Sequence, residues 1–162
     1  MRKIYIASSW KNVVAVRNLA DLLRLHSHEV FDFTDSTNRV AGIDKFVFSA
    51  KQWAEWKGKN PETIEYIDFL SWEPARKAFK VDKAGLDWAN TVVLLLPSGR
   101  SSHLEAGYGV GQGKELFIIG DLPLGEFDAM YGFAKDCFHE NEVGRLLAYL
   151  SLDVPKTTEE NK

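Results

Sequence analysis

Short apolar runs alternate with amphipathic stretches along this chain, and the alternation is its first readable feature. Lys3–Ala7 is a short apolar run ending in Ser8-Ser9, the pattern of a strand buried on both faces. Val13, Val16, Leu19, Ala20 and Leu23 then recur at three- and four-residue steps, which predicts a helix burying one stripe. That helix is expected to stop near His26-Ser27-His28, and Glu29–Phe33 reads as a second strand. Val81, Ala84, Gly85 and Trp88 trace one face of a later helix ending near Asn90. Thr91–Leu96 is a strand closed by Pro97-Ser98-Gly99, Ser102–Gln112 the next helix, and Glu115–Ile119 the next strand. A short strand near Ala134–Phe138 and a helix over Glu140–Leu150 complete the set. Between Thr34 and Phe79 the pattern weakens: Trp53, Trp56, Phe69 and Trp72 stand among breaks at Gly58, Pro61 and Pro74. This stretch, 34–79, reads as an irregular helical insertion or lid.

Strands alternating with helices predict one α/β domain over residues 1–154, with a flexible polar tail at 155–162. The expected fold is a three-layer α/β/α, Rossmann- or flavodoxin-like, with a mostly parallel sheet of about five strands. Ligands in such sheets bind outside the carboxyl ends of the strands. The loops Ser8–Asn12, Thr34–Ser36 and Pro97–Ser101 share that edge. Asp82, read as lying early in the helix that feeds Thr91–Leu96, is expected to approach it from the side.

Composition narrows the partners. The chain has 162 residues, 45% of them hydrophobic and 27% charged, which suits an ordinary globular core. A net charge of -3 gives no reason to expect a nucleic-acid polymer as partner. One cysteine, Cys137, excludes a disulfide framework and any multi-cysteine metal site. The start has only a five-residue apolar run and no later segment reaches membrane-spanning length, so a cytoplasmic location is expected, with no membrane partner. HxxxH, HExxH, GxxxxGK[ST] and GxGxxG spacings are all missing, so no metal or other cofactor is expected.

The chemistry concentrates in Ser98-Gly99-Arg100-Ser101-Ser102-His103-Leu104-Glu105-Ala106-Gly107-Tyr108. Small residues allow a sharp turn, and free amides at a helix start favour an anion. Glu105 admits two readings. With Ser102 as N-cap it completes a capping box, worth about 1 kcal/mol of helix stability. Alternatively it is a carboxylate nucleophile held at the sheet edge. Asp82 is either a solvated first-turn acid favoured by the helix dipole or the second member of a carboxylate pair. Two carboxylates reaching one pocket from different elements is an arrangement that cleaves glycosidic bonds. Ser8 and Ser9 are candidates to bind a phosphate or a sugar hydroxyl, or ordinary caps. His103, His26, His28 and His139 have no evident catalytic company in the sequence.

Four of these pieces, in order, resemble the nucleoside 2-deoxyribosyltransferase family, including its relatives that hydrolyse deoxynucleoside 5′-phosphates. They are Lys3 to Trp10 with Tyr5, Asp82 eight residues before Asn90, Ser98 to Tyr108 with Glu105-Ala106-Gly107-Tyr108, and Gly111 to Lys114. Ser-Ser-Trp-Lys-Asn, Trp-Ala-Asn and Gly-Arg-Ser-Ser-His-Leu-Glu-Ala-Gly are closer to a phage and bacterial branch. The resemblance spans about two thirds of the chain and leaves out 35–78 and the tail.

The resemblance implies an enzyme whose partner is a small nucleoside or nucleotide. Glu105 would attack C1′ of a 2′-deoxyribosyl group, Asp82 would protonate the departing base, and Tyr5 would orient Glu105. Ser8, Ser9, Trp10, Lys11, Ser98, Gly99, Arg100 and Ser101 would surround the substrate, with Trp10 flanking base or sugar. A neighbouring subunit would close the site with the segment that holds Asp128 and Met130, which implies a homodimer or larger homo-oligomer. Gly99 and Arg100 stand where the family often has an aspartate that reads the base. Asp128 near the 5′ end would favour a free hydroxyl, whereas Lys11 and Arg100 would suit a monophosphate. A catalytically silent nucleotide-binding module of the same fold is the alternative.

Overall fold

A computed structural model of the chain describes residues 1–35, 40, 42–43, 51–52, 55, 66–126 and 128–152. The tryptophans at 53 and 56, most of the 34–79 insertion and the tail lie outside them. The sheet has five parallel strands in the order β2-β1-β3-β4-β5. They are β1 (Lys3–Ala7), β2 (Glu29–Phe31), β3 (Thr91–Leu95), β4 (Glu115–Ile119) and β5 (Asp136–Phe138). The helices whose bounds fall among the described residues are α1 (Val13–Leu25), α2 (Tyr66–Ser71), α3 (Glu73–Trp88), α4 (Arg100–Gly111) and α5 (Val143–Leu152).

Successive residues of a strand point to opposite faces, so each strand feeds two cores. Ile4, Ile6, Val93, Leu95 and Phe117 pack with Val16, Leu23, Leu146 and Leu150 from α1 and α5. Tyr5, Ala7, Val92, Leu94 and Ile118 face the other way and pack with Val81, Leu86 and Ala106 from α3 and α4. Covering both faces explains why the strands read as continuous apolar runs and not as alternating ones. No helix among the described residues is long and apolar enough to cross a membrane.

Several boundaries differ from the sequence reading, three of them near the cavity. The expected second strand, Glu29–Phe33, ends at Phe31. Helix α3 begins at Glu73, well before Val81, and Pro74 occupies its first turn, where a missing N–H costs nothing. A proline read as a break is thus a helix start, and residues 73–79 leave the irregular insertion. Helix α4 begins at Arg100, two residues earlier than expected, with Gly99 as N-cap.

Two glycines bring the helices onto the sheet. A Cβ on Gly85 of α3 would lie 2.7 Å from the Phe31 ring, and one on Gly109 of α4 would lie 2.6 Å from Val92 Cγ2. Gly85 follows Asp82 by three residues and Gly109 follows Glu105 by four, so each glycine shares a helix face with a carboxyl residue. The close approach at the glycine carries the neighbouring carboxyl to the sheet.

Candidate active site

Strand order reverses between β1 and β3, because the chain steps outward to β2 and then back across β1 to β3, β4 and β5. At such a switch point the loops leaving the two strands diverge and open a crevice. A cavity of about 680 Å³ lies there, lined by Ser8 and Trp10 after β1, by one face of α3, and by Ser101, Leu104, Glu105 and Tyr108 of α4.

Asp82 and Glu105 both line this cavity, reaching it from different helices. Neither has an ion-pair or hydrogen-bond partner of ordinary geometry among the described residues. Burial pushes the Asp82 pKa up to about 7. Burial and then the charge of Asp82 push Glu105 up to about 8, against a lowering contribution from Tyr5. Tyr5 is fully buried, and its ring stacks on Phe31 with centroids 5.2 Å apart. Its hydroxyl closes no hydrogen bond of ordinary geometry. Burial, followed by the nearby charges of Asp82 and Glu105, raises its pKa well above 10. Two acids that share a proton across neutral pH, with a phenol against one of them, can act as a coupled acid and nucleophile.

The capping explanation of Glu105 fails on geometry. Gly99 is the N-cap, no side chain caps α4, and Ser102 is a buried helical residue. Glu105 lies in the second turn and cannot reach back as the third residue of a capping box. Asp82 is likewise past the midpoint of a 16-residue helix and not in its first turn, so the dipole offers it nothing.

The remaining predicted residues divide. Ser8, Trp10 and Ser101 line the cavity, and Trp10 packs edge-on against Phe33 with ring centroids 5.1 Å apart. Ser8 Oγ is engaged, donating to the Leu95 carbonyl at 2.8 Å. Ser9 caps the short turn that follows β1, accepting from Lys11 N at 3.2 Å. Lys11, Gly99 and Arg100 are exposed and not in the cavity wall. Ser98 is not in that wall either, and its Oγ is buried without a partner. Asp128 and Met130 are exposed outside the cavity, where the Asp128 carboxylate accepts from Met130 N at 2.8 Å.

Several contributors escaped the sequence reading. Asn12 Nδ2 donates to the Pro97 carbonyl and so joins the β1 loop to the β3 loop. His103, which lacked evident company, bonds Gly99 O at 2.8 Å and Tyr131 Oη at 2.9 Å, tying the turn Ala129–Phe133 to the start of α4. His139 pairs with Asp121 and caps the turn Glu140–Glu142. Trp72, Arg76 and Phe79 line the cavity mouth. Their spacing of four and three was present in the sequence, but starting α3 near Val81 concealed it.

No protein-family model matches the chain, and no curated protein does. Among solved structures, the 2-deoxyribosyltransferase of the psychrotolerant bacterium Bacillus psychrosaccharolyticus superposes with a TM-score of 0.55 at 19% identity. The alignment covers 86% of this chain and 88% of that one. The CMP N-glycosidase of Clostridium botulinum aligns with a TM-score of 0.49 at 13% identity, over 92% and 98% of the two chains. The chain shares the fold of a 2-deoxyribosyltransferase, as the resemblance in its sequence implies.

Proposed function

We propose that the chain is an enzyme acting at the N-glycosidic bond of a 2′-deoxynucleoside or its 5′-monophosphate, by transfer or hydrolysis through a covalent glutamyl-deoxyribosyl intermediate. The observation that supports it is the meeting of Asp82 and Glu105 in one cavity at the switch point. In this reading a Glu105 carboxylate oxygen attacks C1′, the C1′–N bond breaks, and Asp82 gives its proton to the departing base. Water or a second base then attacks C1′, Asp82 accepts the released proton, and the bond to Glu105 breaks. Two subunits complete the assembly, with Asp128 and Met130 of one reaching towards the other's site.

Attack needs Glu105 ionised while Asp82 holds the proton of the pair. Burial raises both carboxyls, Asp82 to about 7 and Glu105 to about 8, so the pair keeps one proton across neutral pH, and the lowering contribution of Tyr5 to Glu105 favours its residence on Asp82. The singly protonated pair is most populated between pH 7 and pH 8, so turnover is expected to be bell-shaped with its maximum there.

Intact-protein mass spectrometry tests the reading, with wild type and Glu105→Ala each incubated with mixed 2′-deoxynucleosides and their 5′-monophosphates. A deoxyribosyl mass increment on wild type alone, with free base released, is the expected result. Loss of turnover should be at least about a thousandfold in the variant. Absence of both adduct and free base would overturn the enzyme in favour of the silent binding module.

A further inference from the structure

Helix α3 presents two parallel stripes to the cavity. Ala75, Ala78, Asp82 and Leu86 follow one another at steps of three and four and are buried or half-buried. Trp72, Arg76, Phe79 and Lys83 follow the same steps one position over, with Arg76 and Phe79 exposed and the other two half-buried. The inner stripe is small and apolar apart from Asp82. The outer stripe alternates aromatic rings with cations.

The two cations differ. Lys83 Nζ lies 2.6 Å from the Asp87 carboxylate and stands over the Tyr108 ring at 5.3 Å, so its charge is already answered. The Arg76 guanidinium has no carboxylate, hydrogen bond or ring contact among the described residues. Lys11 and Arg100, the cations first expected to meet a phosphate, are outside the cavity wall. Arg76 is thus the cavity-lining cation with its charge unanswered. It stands six residues from Asp82, about 9 Å along the helix axis, which is too far to touch the reacting bond and near enough to meet a substituent at the other end of a sugar.

We propose that Arg76 is a specificity residue that binds an anionic group on the substrate, so that the site selects a 2′-deoxynucleoside 5′-monophosphate over the free nucleoside. The proposal rests on the N-glycosidic reading of the site. A guanidinium offers a planar fork of donors that matches phosphate oxygens two at a time. Trp72 and Phe79, one turn to either side, line the same stretch of the cavity wall. Among the described residues, the walls nearer Asp82 and Glu105 offer an anion no other uncompensated cation.

Calorimetric binding tests this with the four 2′-deoxynucleosides and their 5′-monophosphates, on Glu105→Gln with and without Arg76→Ala, beside base release by wild type. The Glu105→Gln background prevents turnover during titration, and Arg76 is exposed enough for its removal to spare folding. Monophosphates are expected to bind on the order of tenfold to a hundredfold more tightly than the matching nucleosides. Arg76→Ala should remove most of that difference, and Arg76→Lys should restore part of it. Base release by wild type without preference for the monophosphate, or a preference that survives Arg76→Ala, would overturn the role of Arg76 and leave the glycosidic reading standing. Absence of both base release and binding for every compound would overturn the two together.

Discussion

Glu115 opens β4 at the amino edge of the sheet and Glu105 faces the cavity at the carboxyl edge, and their surroundings differ in kind. At the amino edge Arg2, 1% exposed, donates to Leu150 O and to Thr91 Oγ1, each at 3.1 Å, and pairs with Glu115. Lys135 meets the other Glu115 oxygen. Burial alone would raise the Glu115 pKa, but the bonds from Lys135 and Arg2 outweigh it and hold the carboxyl below its usual range. His28 is the exception here: its Nδ1 accepts from Arg2 N at 3.2 Å, its Nε2 has no partner, and burial lowers its pKa. At the carboxyl edge, among the described residues, no cation pairs with Asp82 or Glu105, Tyr5 Oη and Ser98 Oγ close no hydrogen bond of ordinary geometry, and both carboxyl pKa values rise. A buried polar group left unsatisfied costs stability, and a fold keeps such groups where they can meet a ligand. One edge satisfies its charges and holds the fold together; the other leaves them open.

The sharpest way to break this contrast is to unpair the amino edge. Arg2→Met removes the guanidinium while keeping most of its buried volume, and leaves Glu115 with Lys135 alone. Removing Arg2 leaves the Leu150 and Thr91 acceptors without that donor and Glu115 with one cation, an expected cost of about 1–3 kcal/mol that a fall in the urea midpoint without a change in slope would report. A loss below about 1 kcal/mol would mean that the amino edge does not hold the fold. Glu105 and Asp82 should be unaffected in that variant, because their cavity is at the opposite ends of the strands.

At the carboxyl edge the sign reverses. A carboxyl whose pKa is raised on folding binds its proton more tightly in the folded state. Glu105, at about 8 against an ordinary 4.5, therefore makes the folded protein lose stability as pH rises between those values. Asp82 does the same from 3.8 to about 7. Glu115, with its lowered pKa, contributes stability above its unfolded value that is lost as pH falls. Glu105→Gln should consequently be more stable than wild type by about 1–3 kcal/mol at pH 8, and nearly equal to it at pH 4. Urea titrations at the two pH values would measure the gain. Equal stability of both proteins at pH 8 would mean that Glu105 is solvated and is not held at a cost for chemistry.

The two edges were not equally legible in the sequence. The strands were, because a strand covered on both faces is an uninterrupted apolar run whatever surrounds it: Lys3–Ala7 and Glu115–Ile119 come out at their expected bounds. Tyr5, Asp82 and Glu105 were singled out by the motifs that carry the resemblance, and the cavity that Asp82 and Glu105 share lies where the strand order reverses. What was hidden depends on where helices begin. Reading Pro74 as a break, when it occupies the first turn of α3, concealed the Trp72, Arg76 and Phe79 stripe. Reading Ser102 as a cap, when Gly99 serves, left a false rival for Glu105. The amino edge gave no signal at all, because Arg2, Thr91, Glu115 and Leu150 are far apart in the chain and meet only when the sheet forms.

Tyr5→Phe is the finest test, since it removes one oxygen and keeps the ring on Phe31. If the hydroxyl belonged to the structural part of the molecule, its loss would leave a broken buried hydrogen bond and cost about 1 kcal/mol or more. The hydroxyl makes no hydrogen bond of ordinary geometry, only the looser contact that lowers the Glu105 pKa, so the variant should match wild type in thermal unfolding or exceed it by up to about 1 kcal/mol. Turnover should nevertheless fall on the order of tenfold to a hundredfold, because nothing then favours the ionised form of Glu105. With the lowering contribution of Tyr5 gone, the Glu105 pKa rises further and the bell should move to higher pH. Unchanged stability with slower turnover and an alkaline shift would place the Tyr5 hydroxyl with the open edge. Lower stability with an unmoved pH profile would place it with the closed one, and Asp82 and Glu105 would then have to divide their proton without it.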